Sequence, residues 1–156
     1  MGNEQIKQKF PVGMIIILIF IGWGAVSLLL SMFKIPMSQL GPVLLSGAGA
    51  IVMNLVIVGI LATIFYGILK RMPWARKLAI GWYIVSIVLM SVNLVSFLGN
   101  KTMYDSYYQK LLPPETYSLM TPTVITGSLI SALGFGFVIC IIVIIYLARK
   151  KDFFVN

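Results

Sequence analysis

Four apolar runs, none containing Asp, Glu, Lys or Arg, take up most of this 156-residue chain. They are PVGMIIILIFIGWGAVSLLLSMF at about 11–33, PVLLSGAGAIVMNLVIVGILATIFYGIL at about 42–69, LAIGWYIVSIVLMSVNLVSFL at about 78–98 and PTVITGSLISALGFGFVICIIVIIYLA at about 122–148. Each reaches the roughly 20 residues that a helix needs to cross a bilayer. Hydrocarbon offers no hydrogen-bond partner, so the backbone of each run must satisfy itself as an α-helix. Transmembrane strands would be shorter and would alternate. Only 10% of the chain is charged, against about 25% in soluble domains, and the mean hydropathy is +1.01. The expected fold is all-α: a four-helix transmembrane bundle in a single domain spanning residues 1–156, with a short amphipathic helix on its outer surface.

Proline marks the starts. Pro11, Pro42 and Pro122 each open a run, where a missing N–H costs nothing. Lys7 and Lys9 precede the first run as they would in a signal sequence. The run is too long for one, however, and no small-x-small cleavage site follows, so a retained helix is expected. Gly2 is followed by Ile6 where myristoylation requires Ser or Thr, which excludes that anchor.

The net charge of +8 would suggest an acidic partner if the cations shared one face. Instead they sit at the ends of the apolar runs, which argues for membrane orientation and against nucleic acid. Four crossings put Lys7, Lys9, Lys70, Arg71, Arg76, Lys77, Arg149, Lys150 and Lys151 on one side, and Lys34, Lys101 and Lys110 on the other. This asymmetry predicts a multi-pass protein of the cell membrane with both termini cytoplasmic. KRMPWARK, residues 70–77, reads as a short cytoplasmic turn in which Pro73 breaks the helix path. Its cations, with Arg149, Lys150 and Lys151, are candidates for contact with anionic lipid. Trp74 and Trp82 are expected interfacial anchors, with Tyr146 near the same interface. Trp23, mid-run, is expected to pack inside the bundle.

The sizeable connection is GNKTMYDSYYQKLLPPETYSLMT, residues 99–121. Tyr104, Tyr107, Tyr108, Leu111 and Leu112 recur at helical spacing, which predicts an interfacial helix at about 103–112, anchored by the tyrosines. Pro113 and Pro114 are expected to end it. A tyrosine-lined lid or docking surface is the functional alternative. Asn100-Lys101-Thr102 matches a glycosylation sequon, a short pattern that arises often by chance.

Polar groups within the membrane tend to be functional. The candidates are Asn54, close to the middle of the second run, and Asn93, toward the outer end of the third. Ser and Thr residues such as Thr63, Ser86, Ser91, Ser128 and Ser131 accompany them. An asparagine can bridge to a facing helix or line a pore. Small residues also recur at helical spacing, in SGAGA at 46–50 and GSLISALGFG at 127–136, a pattern that lets helices approach closely within one chain or between chains.

The missing residue types exclude several chemistries. With no histidine and no carboxylate in the runs, no metal site, proton relay or general base is expected within the membrane. The single cysteine, Cys140, has no base to activate it, and a membrane thiol oxidoreductase needs paired cysteines. KRMPWARK lacks the glycines of a phosphate loop. No catalytic residue, metal or cofactor is expected.

Three stretches resemble a family. KFPVGMIIILIFIGWG is similar to a Pro-x-Gly opening, with Phe10-Pro11-Val12-Gly13 at its centre. GILKRMPWARKLAIGWYIV is similar to a Lys-x-x-x-Trp-Ala-Arg hairpin, and IIYLARKKDFFV to a Tyr-Leu-x-Arg close ending in Phe-Phe. Together they resemble the uncharacterised small four-helix integral membrane proteins of archaea and bacteria, over nearly the whole chain. Lys9-Phe10 stands where that family has a basic residue directly before the proline, and the tyrosine-rich loop has no counterpart. The resemblance implies a prokaryotic membrane location and a four-helix fold, with no activity attached. The expected function is a non-catalytic membrane protein acting through helix packing, as an accessory subunit or by self-association. Its partners would be membrane lipids and other membrane subunits or its own copies. The alternative is a pore or carrier for a neutral or lipid-like substrate.

Overall fold

A computed structural model describes residues 10–34, 37–40, 43–100, 109, 113–119 and 122–154. Lys7, Lys9 and the expected interfacial helix at 103–112, with Tyr104, Tyr107 and Tyr108, lie outside these residues apart from Gln109, which is helical. Along the chain come α1 (Val12–Lys34), β1 (Met37–Leu40), β2 (Val43–Ser46), α2 (Ala48–Leu69), α3 (Pro73–Gly99), α4 (Pro114–Leu119) and α5 (Pro122–Arg149). A 3-10 turn at Lys151–Phe153 follows. The helices α1, α2, α3 and α5 are the four long and apolar enough to cross a membrane. The architecture is an all-α four-helix bundle carrying, among the described residues, one small hairpin.

Two boundaries differ from expectation, and one short helix is additional. α2 begins at Ala48, not near Pro42, because Val43–Ser46 pairs with Met37–Leu40 as an antiparallel hairpin, Leu40 opposite Val43 and Met37 opposite Ser46. Gly47 joins hairpin to helix at φ 61° and ψ −133°, a conformation that glycine adopts without a Cβ clash. The 22 residues left to α2 span about 33 Å, close to the hydrocarbon thickness. α3 begins at Pro73, not Leu78. Pro73 therefore starts this helix rather than breaking one, and Arg76 and Lys77 lie within its first five residues. Pro114 likewise opens α4, with Glu115 in the first turn, where a carboxylate suits the helix dipole.

α1 packs on α2, α2 on α3, and α3 on α5, while the hairpin rests on α2. The core gathers at the end of the bundle where α1 starts, α2 turns into α3 and α5 finishes, called here the basic end. There α1 contributes Met14, Ile17, Leu18 and Ile21, at helical i, i+3, i+4, i+7 spacing. Ile64 and Ile68 of α2, Ala75 and Ala79 of α3, and Val143 and Leu147 of α5 complete it. Trp23 is a correction: it is 73% exposed, on the side of α1 away from this core. In a bilayer an outward-facing ring meets acyl chains, so nothing forces it inward.

Candidate functional site

The basic turn is built by its backbone. Arg71 donates its N–H to the Ile68 carbonyl at 3.0 Å, and Met72 donates to Gly67 at 2.9 Å. These bonds cap α2 in a Schellman arrangement, which needs a left-handed residue at Arg71. Arg71 supplies it at φ 57°, a conformation unusual for a side chain other than glycine. Its guanidinium lies 4.9 Å from the Phe153 ring centre and 5.5 Å from that of Phe10. Phe10 and Phe153 meet edge to face at 4.9 Å, and Phe153 meets Phe154 at 5.1 Å. A residue expected to orient the chain and to meet anionic lipid thus ties the start of α1 to the tail beyond α5.

Gly67 lets α2 and α3 close on one another. A Cβ there would collide with the Ala75 Cβ and lie 2.8 Å from Trp74 Cη2. The Trp74 indole N–H donates to Met72 Sδ at 3.1 Å, and its ring is exposed at the start of α3, as an interfacial anchor requires. Trp82 is partly buried and packs on the core. Lys70, Lys77, Arg149, Lys150 and Lys151 are exposed around the same end, and Arg76 is half-buried.

The polar interior residues are not equivalent. Asn54 is 2% exposed, and its Nδ2 has no hydrogen-bond partner among the described residues. Because α2 starts late, Asn54 lies in its second turn, not at its middle. Asn93 is half-buried in the last third of α3. Three hydroxyls return to their own helix: Thr63 donates to the Gly59 carbonyl at 2.7 Å, Ser86 to Trp82 at 2.9 Å and Ser91 to Ile87 at 2.9 Å. Hydrogen bonds of this kind satisfy the side chain without reaching a neighbouring helix. Cys140 is buried as a free thiol in α5. Among the described residues, no three His, Cys, Asp or Glu side chains come together as metal ligands would.

The small residues of α5 face outward. Gly127, Ser131 and Gly134 share one side of the helix and are exposed, and a Cβ on Gly127 or Gly134 would meet nothing within 4 Å. Gly136 differs, because its Cβ would approach Met90 Sδ at 3.0 Å. Composition marked all of these as close-approach positions, but only the structure separates those used within the chain from those left open.

Phe153 and Phe154, both buried, were missed as packing residues. Their signal was present: two adjacent rings beyond a basic stop are poorly placed in water. The hairpin was missed for the opposite reason, since VLLS is as apolar as the helix that follows.

The arrangement defines a multi-pass helical membrane protein sealed at one end by an arginine-aromatic cluster. No family model, curated protein or solved structure matches the chain. The likeness to small four-helix prokaryotic membrane proteins therefore rests on the three sequence stretches alone.

Proposed function

We propose that this is a non-catalytic membrane protein that works by packing helices against other helices, as an accessory subunit or with its own copies. The observation that carries this reading is the open stripe of Gly127, Ser131 and Gly134 on α5, which none of the described residues fills. Small residues at this spacing permit the close backbone approach on which helix association in lipid depends. The nine-to-three cation asymmetry supports a cell-membrane orientation with both termini cytoplasmic. The resemblance to uncharacterised four-helix proteins of archaea and bacteria is part of the same proposal.

The test is association in native-like bilayers, followed by cysteine cross-linking at exposed α5 positions. Cross-links to a second copy or to a co-purifying membrane subunit are expected, with loss in Gly127→Leu/Gly134→Leu. Solute flux through liposomes, abolished by replacing Asn54, would instead support the pore or carrier reading. The unpartnered Asn54 amide favours that second reading. Against it, Thr63, Ser86 and Ser91 bond to their own helices and extend no polar path from Asn54.

A further inference from the structure

The seam between α1 and α5 carries two adjoining hollows of opposite character. On this seam Tyr146 lies over Gly13, whose added Cβ would sit 2.6 Å from Tyr146 Cζ. Toward the membrane centre, Gly13, Ile16, Phe20, Ile139, Ile142 and Tyr146 line a groove of about 230 Å³ in which no polar atom is exposed. One turn toward the basic end, Phe10, Val12, Arg149, Lys150 and Asp152 border a wider hollow of about 560 Å³. Neither hollow belongs to the open stripe of α5, which lies at the other end of the helix.

We propose that this seam binds one anionic phospholipid, with its phosphate at Arg149 and Lys150 and an acyl chain along the apolar groove. The order of the hollows matches the molecule: charge at the helix ends, hydrocarbon surface immediately deeper. Arg149 offers a planar fork to phosphate oxygens and Lys150 a mobile point charge. Asp152 borders the same hollow and offsets part of this positive charge, which suits a monoanionic phosphodiester better than a more highly charged group. Tyr146 lines the groove with its ring against Gly13 of α1, about one turn along α5 from Arg149, so the headgroup and acyl-chain positions follow one another along the same seam. The site is independent of the helix-association reading.

Native mass spectrometry of the detergent-purified protein, titrated with phosphatidylglycerol, phosphatidylcholine or glycerol phosphate, tests the proposal. One phosphatidylglycerol should saturate well below the concentration at which phosphatidylcholine binds, and glycerol phosphate should leave no adduct. Arg149→Gln/Lys150→Gln should weaken that adduct by about 30-fold, the effect of two basic residues near a membrane surface. Ile142→Trp, at a position 59% exposed, should block the groove and weaken it with no change in charge. Lys34→Gln/Lys101→Gln removes equal charge from the expected outer side, away from the candidate lipid contacts, and should leave it intact. Equal binding of both lipids overturns the proposal, as does equal loss in the two charge variants. Saturation by glycerol phosphate alone, or indifference to Ile142→Trp, also overturns it.

Discussion

At the basic end, Met14, Ile64, Ile68, Ala75, Ala79 and Leu147 are wholly buried within about two turns of their helix ends. At the opposite end, the buried residues among those described are Ala50, Asn54 and Phe97. The helices are apolar toward both ends but pack differently there. At the basic end, three residues join α2 to α3, Gly67 removes the side chain between them, and the Arg71 cluster holds both ends of the chain. At the other end a hairpin and a long connection separate the helices. Lipid is as apolar as leucine, so contact between these helices is held by shape and not by expulsion of water. One end of the bundle thus holds itself together, while the other leaves apolar and small-residue faces available.

The largest expected effect tests that contrast directly. Ile64→Ala should cost about 2 kcal/mol, the low end for a core truncation, because the unfolded helix stays in lipid and mainly the cavity is felt. Ile130→Ala, exposed on α5, should cost less than about 0.5 kcal/mol. Unfolding of both variants in mixed detergent micelles measures the difference. Equal costs would mean that the two ends are not differently packed in solution.

A smaller effect separates the two roles of Arg71. Arg71→Ala removes both ring contacts while keeping a side chain in the left-handed conformation, and should destabilise by about 1–2 kcal/mol. Arg71→Gly loses the same contacts but relieves roughly 1 kcal/mol of backbone strain, so it should be the milder variant. If Arg71→Gly were the more damaging in the same unfolding assay, the capping geometry would not be a source of strain.

Much of the bundle was legible because lipid leaves the backbone few choices. A charge-free run as long as 12–33 has to be a helix, and the Lys and Arg positions show how the ends are paired. Legibility failed wherever two physical demands produce the same residues. Val43-Leu44-Leu45 serves a strand as well as a helix, so the late start of α2 was hidden. Arg76 and Lys77 mark the membrane boundary but not the helix boundary, and α3 runs past them to Pro73. Trp23 was read as interior because it is large and mid-run, yet an acyl environment accepts it on the outside. The site was legible only in part: the spacing of Gly127, Ser131 and Gly134 was plain, but their exposure depends on which way α5 faces. The Arg71 contacts join three segments far apart in sequence, which no local pattern encodes.

The smallest expected change in stability is the most informative about the looser end. Asn54 is the one buried polar residue among those described, and its amide nitrogen is unpartnered. A buried donor without an acceptor typically costs about 1–3 kcal/mol, and replacement by an apolar group of similar shape recovers part of that. If the isolated chain is the whole functional unit, Asn54→Leu should be neutral or should stabilise it by up to about 1 kcal/mol. If another helix supplies the missing acceptor, the same substitution should stabilise the separate chain yet weaken association, by about 0.6–2 kcal/mol for an interhelical hydrogen bond. Measuring unfolding and association on the one variant separates the cases. A gain in both would leave Asn54 as an unsatisfied residue with no partner. A gain in the first with a loss in the second would place a partner helix at the looser end, where the chain's own helices leave this donor unmatched.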